Sequence, residues 1–141
     1  MKALVPKVAF ALALAALACP AFAGEAEEAM LYHWGECAAV GSLFEAAVEI
    51  GSSDPRITSA NTAFHNFEPQ MEAHTNAIAD GLGEDRANAV RDRILADYDS
   101  DIALWADTED RDGFLLATWG KTMDRCLKEA TALPVPGRPV T

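Results

Sequence analysis

The sequence predicts an all-α fold: an antiparallel up-down four-helix bundle with a kinked or broken second helix and one inter-helix disulfide. Three observations predict it. Apolar residues recur at steps of three and four in four successive stretches, the period of a helix buried along one side. Short runs rich in Gly, Pro, Ser and Asp separate the stretches, and these residues stop one helix and cap the next. No stretch shows sustained apolar/polar alternation with β-branched enrichment, which is the mark of strands. Segments on the order of 25 residues, ~37 Å each, joined by short turns favour antiparallel neighbours.

Residues 1–23 read as an export signal. Lys2 and Lys7 precede an apolar run from Val8 to Ala18, and Ala21-Phe22-Ala23 is an A-x-A cleavage site. The run is shorter than the ~20 residues a membrane span needs. A lipoprotein reading, with Cys19 lipidated, is weakened by Pro20 and by Ala16 where leucine is usual. The expected mature chain starts at Gly24, is periplasmic or secreted, and has no membrane role.

The first helix places Met30, Trp34, Cys37, Gly41, Phe44 and Val48 on one face. Gly51 is its C-cap candidate, Ser53 or Asp54 the next N-cap, and Pro55 the start of the second helix. The second stripe is Ile57, Ala60, Phe64, Phe67, Met71, His74 and Ile78, ending at Gly81-Leu82-Gly83. Pro69 lies inside it and removes the hydrogen bond to the His65 carbonyl, which predicts a kink or two shorter helices.

The third helix opens with Glu84 and Asp85 and buries Ala87, Val90, Ile94, Tyr98, Ile102 and Trp105. The fourth has Thr108 or Asp110 as its cap, then Leu116, Trp119, Met123, Cys126, Ala130 and Leu133. The bundle domain therefore covers residues 24–133. Residues 134–141, with three prolines and a glycine, form an expected disordered or extended tail.

First and last helices of such a bundle are antiparallel neighbours, so facing Cys37 with Cys126 fixes a register. It sets Trp34 against Ala130, Gly41 against Met123, Phe44 against Trp119, and Val48 against Leu115 or Leu116. Large residues meet small ones near the cysteines, as a close approach requires. Two cysteines in an exported chain point to the same bond, which closes about 90 residues and adds ~4–5 kcal/mol on the chain-entropy account. A reactive thiol needs an electropositive setting, and Glu36 beside Cys37 argues against one. The matching register of the second helix sets Trp34 against Met71, Ala38 against Phe67 and Gly41 against Phe64.

The chain carries 22 acidic and 11 basic side chains, a formal charge of −11. Removing residues 1–23 takes away two lysines and no acid, so the mature surface repels phosphate backbones and anionic lipid. Nucleic acid is thus excluded as a partner, and a cationic protein is the partner such a surface steers in.

Catalytic patterns are lacking. The three histidines are His33, His65 and His74, and no serine stands in a nucleophile elbow or a triad spacing. His74 falls on the apolar stripe as a hydrogen-bonded core or boundary residue. His33 lies off its stripe, solvated, with Glu36 one turn on as a weak partner. His65, one turn before Pro69 and beside Phe64, Phe67 and Glu68, marks the candidate ligand or partner site.

A dimetal carboxylate site needs two Glu-x-x-His motifs, and a zinc site needs free cysteines or a close histidine pair, so no metal is expected. C-x-x-C-H is missing, which leaves only non-covalent haem, held by Met30, Met71 or Met123 opposite His33 or His74. No cofactor is expected on this pattern. Residues 97–112 are acid-dense but lack the glycine and terminal glutamate of a calcium loop, and apolar periodicity runs through them as through a solvated helix face.

The expectation is an exported bundle that acts without catalysis and binds a protein partner, as an adaptor, inhibitor or stress chaperone does. The alternative is a carrier of a small ligand or non-covalent haem in the bundle interior near His65. An acid-stress variant follows from the carboxylate excess, whose protonation would erase self-repulsion.

Overall fold

A computed structural model describes the backbone of residues 7–137 and the side chains of residues 24–137. Four helices follow in order: α1 (Lys7–Glu49), α2 (Pro55–Leu82), α3 (Glu84–Asp107) and α4 (Arg111–Ala130). Among the described residues there is no strand. The expected export signal falls on residues 1–23, whose side chains lie outside the described residues, as do residues 138–141 of the expected tail. α1 runs through the A-x-A site as one unbroken helix.

Each turn follows from its residues. At the end of α1, Gly51 takes φ 105°, its amide donates to the Val48 carbonyl at 3.0 Å, and the Ser52 amide donates to the Ala47 carbonyl at 2.9 Å. That is a Schellman closure, open to glycine because it has no Cβ at positive φ. Asp54, rather than Ser53, caps α2 by accepting the Arg56 amide at 2.9 Å, with Pro55 in the first turn. The Arg56 guanidinium folds back onto the same carboxylate and, together with that amide, holds Asp54 below the usual carboxylate range. α2 and α3 are joined by a single residue, Gly83 at φ 89°, which ends one helix and starts the next. It has no side chain to cap α3, so Glu84 and Asp85 meet the positive helix end instead. Asp110 caps α4 through the Gly113 amide at 3.0 Å, and the turn before it is tied by the Trp105 indole donating to the Arg111 carbonyl at 3.1 Å.

Pro69 does not divide α2, which is one helix of 28 residues, so the expectation of two shorter helices is corrected. Proline removes one hydrogen bond, but the turns on either side remain anchored by Phe64 and Met71, both buried.

All four helices share one core, and every pair of helices touches. Cys37 and Cys126 are bonded as expected, with Cα atoms 5.7 Å apart and both side chains buried. Along α1 and into the turn after it the α4 partners descend in number: His33 pairs with Glu129, Glu36 with Arg125 at 3.2 Å, and Ser52 of the turn donates to Asp112 at 2.8 Å. Gly41 of α1 lies under the Phe64 ring of α2, as paired from the sequence.

α3 buries Val90, Ile94, Tyr98 and Trp105, with Ala87 and Ile102 half-covered, matching its stripe. On α1 the buried position near Gly24 is Leu31, and Met30 is 45% exposed. α3 is the reason: Val90 and Ile94 meet the Leu31 and Gly35 side of α1, turning Met30 outward. Leu115 is the fully buried member of the Leu115/Leu116 pair, and Trp119 stacks on Tyr98 and meets Phe114 edge-on.

The disulfide is compatible with an extracellular or periplasmic protein. Among the described residues no helix is long and apolar enough to cross a membrane.

Candidate functional site

α2 buries only Ile57, Phe64 and Met71 along its length, so its seam with α1 is not closed by side chains. On α1 the facing residues are small: Ala38, Gly41 and Ser42, between Trp34 and Glu45. Residues at steps of three and four share a helix face, which puts Trp34, Ala38, Ser42 and Glu45 on one wall and Phe64, Glu68, Met71, Glu72, Thr75 and Asn76 on the other. Between these walls lies a groove of about 340 Å3.

Its floor is apolar, made by Trp34, Phe64 and Met71, all buried. The Phe64 ring occupies the space a side chain at position 41 would fill. The hydroxyls along the walls are engaged: Ser42 donates to the Ala38 carbonyl at 3.0 Å and Thr75 to the Met71 carbonyl at 2.7 Å. Both residues thus present carbon to the groove. What remains polar is Asn76 and the carboxylates of Glu45, Glu68 and Glu72.

Of the residues singled out from the sequence, Phe64 and Glu68 line this groove. His65 stands at its rim, 40% exposed, with Nδ1 3.0 Å from Glu68 and Nε2 3.7 Å from Glu45. The open space lies in the outer seam next to His65. Phe67 packs against the core and Pro69 is exposed, and neither lines the groove. Glu45 and Glu72 were missed. Ala38, Ser42 and Glu45 repeat at helical spacing, which shows that they share a face but not that a groove lies beside it.

Of the other histidines, His33 departs from expectation: it is half-buried and pairs with Glu129 across the α1–α4 seam, not with Glu36 on its own helix. His74 is half-buried at the boundary, as expected, and packs edge-on against Trp34 with ring centres 5.4 Å apart. Met30 and His74 do share a shallow recess of about 250 Å3. That is below the ~300 Å3 at which small-molecule sites begin. Pro134, Val135 and Pro136 lie against Gln70, Ala73 and His74, so the described part of the tail follows α2.

A second polar cluster lies on the other side of α1. Tyr98 donates to Glu36, which also holds Arg125, and Tyr32 donates to Asp97 at 2.6 Å beneath the Arg93 guanidinium. The hydrogen bond to Asp97 and burial push the Tyr32 phenol up to about 12. Burial, then the bond to Glu36, raises Tyr98 further. Both phenols are thus held protonated, as tethers between helices. Among the described residues, no three His, Cys, Asp or Glu side chains are grouped to hold a metal ion.

Compared with protein-family models, with characterised proteins and with solved structures, the chain matches none.

Proposed function

We propose that the chain is an exported, non-enzymatic binding protein, built as an up-down-up-down bundle, whose basic protein partner docks on the α1–α2 groove. The observation that carries it is the groove itself, an apolar floor of Trp34, Phe64 and Met71 rimmed by Glu45, Glu68 and Glu72. Apolar area supplies the affinity of a docked side chain, and three carboxylates select Lys or Arg over acidic or neutral competitors. The descending α1–α4 contacts support the antiparallel arrangement. A kink at Pro69 belongs to the same reading, because Pro69 leaves the His65 carbonyl without its helical donor at the groove rim. An acid-dense surface supports the choice of a cationic partner and its fast capture.

Photo-crosslinking in the exporting cell tests this. A crosslinker at Ser42, in the groove, is expected to give one discrete adduct, absent when the crosslinker is placed at Leu104 on α3. The adduct is expected to disappear when Glu45, Glu68 and Glu72 are changed to Gln. Equal adducts from both positions, or an adduct indifferent to the three carboxylates, would overturn the proposal.

A further inference from the structure

A second cavity adjoins the first. It holds about 290 Å3 between α1, α2 and α3, over Leu31, Gly35, Ala39, Val90, Ile94 and Leu95. Ala38, Thr75 and Asn76 line both cavities, so the two adjoin at these residues along the α1–α2 seam. Their chemistry differs. The first end carries Glu45, Glu68 and Glu72, whereas the second is aliphatic, with Arg91 as its charged wall residue. At the junction the Thr75 hydroxyl is bonded back to Met71, which leaves the Asn76 carboxamide as its polar group. At the far mouth Leu95 is 58% exposed. From Leu31 to Glu45 the seam follows α1 for about 21 Å at 1.5 Å per residue, which is the length of a helix of about four turns.

We infer that these two adjoining cavities together form a two-part docking site for one amphipathic basic helix of the partner, and that it fixes the helix's direction. Lys or Arg side chains at one end of the helix lie over Glu45, Glu68 and Glu72. Aliphatic side chains at the other end lie over Ala38, Ala39, Ile94 and Leu95. This rests on the binding function proposed above and adds to it the occupant's form and polarity. Charge complementarity carries the choice: the acidic end attracts cations, while Arg91 repels them from the aliphatic end. Apolar anchors at three- and four-residue spacing are the way a helix fills a groove of this shape. A reversed helix would set Lys against Arg91 and leave the three carboxylates facing hydrocarbon, a mismatch that desolvation penalises.

Two synthetic helical peptides of the same composition test this against the mature, disulfide-bonded protein. One has its basic residues at one end and leucines at the other; the second has them evenly interspersed. Titration by fluorescence anisotropy is expected to give the segregated peptide about tenfold tighter binding. Ala38→Phe, at an exposed position of the junction, is expected to remove that preference while leaving the melting temperature unchanged. Changing Glu45, Glu68 and Glu72 to Gln is expected to weaken both peptides about tenfold or more and to flatten the salt dependence. Equal binding of the two peptides, with Ala38→Phe without effect and the triple variant still weakened, would overturn the two-part site and leave the basic-partner function standing. Loss of neither peptide in the triple variant would overturn both. Self-association of the protein that competes with the peptides would assign the groove to a second copy of the chain and overturn the inference.

Discussion

The two seams that α1 makes, with α4 and with α2, are built on opposite terms. Against α4 the chain is bonded through Cys37 and Cys126, and the flanks are closed by His33–Glu129 and by Glu36 with Arg125. Against α2 there is no covalent link, and small residues let the backbones approach without side chains filling the space beside them. Close approach and good filling are therefore separate properties. Gly41 with Phe64 has both, whereas Ala38 and Ser42 have the first only. The clasped seam supplies stability that the open seam does not, and so lets the groove exist in a bundle with only marginal net stability.

The sharpest way to break this division is to remove the clasp. Cys37→Ala with Cys126→Ala frees a loop of 89 residues and is expected to cost ~4–5 kcal/mol, or on the order of 15–20 °C in melting temperature. Thermal and urea unfolding of oxidised, reduced and double-Ala protein measure it. A loss below ~1 kcal/mol would mean that the open seam, not the clasped one, holds the molecule together.

Next in size is the contrast between two glycines of α1. A Cβ at position 41 would enter the Phe64 ring, where three ring carbons and not one flexible end must shift, so Gly41→Ala is expected to cost about 1–2 kcal/mol net of the helix propensity alanine restores. At position 35 the Cβ would meet only the terminal methyl of Ile94 at 2.5 Å. That methyl swings aside into the neighbouring cavity, so Gly35→Ala is expected to be neutral or slightly stabilising. Urea denaturation of the two variants should separate them. Equal effects would show that the two sites do not differ in filling.

Sequence was a good guide to the clasped seam and a poor one to the open seam, for a physical reason. A stripe such as Ile94, Tyr98 and Trp105 records which residues face inward, and two cysteines on such stripes tie a register. Whether inward residues meet is a different quantity. Nothing in the spacing of Ala38, Ser42 and Thr75 says that their small side chains stop short of one another and leave a groove. Cross-helix partners were hidden likewise: Glu36 was weighed against its own-helix neighbour His33, but Tyr98 and Arg125 come from other helices. Met30 was misplaced because one stripe was fitted to a helix that in fact touches three others, with α3 claiming Leu31.

The smallest expected effect belongs to the phenols on the clasped side. Tyr98 stacks on Trp119 and donates to Glu36, so Tyr98→Phe keeps the ring and removes the tether. It is expected to cost about 1 kcal/mol at pH 8, since Glu36 retains Arg125. The pH dependence carries the stronger test. Unfolded tyrosine ionises near ~10, whereas folded Tyr32 is pushed up to about 12 and Tyr98 beyond it. A raised folded value gives stability that is complete below ~10 and is lost as pH rises through the folded value, because only the unfolded chain gives up its proton in between. Wild-type stability is thus expected to fall from pH ~10 upward, with Tyr98→Phe falling less steeply and the two curves converging. Parallel curves from pH 8 to about 12 would show that the Tyr98 hydroxyl is not held by Glu36. The clasped side would then depend on its disulfide, its packing and the His33–Glu129 and Glu36–Arg125 pairs.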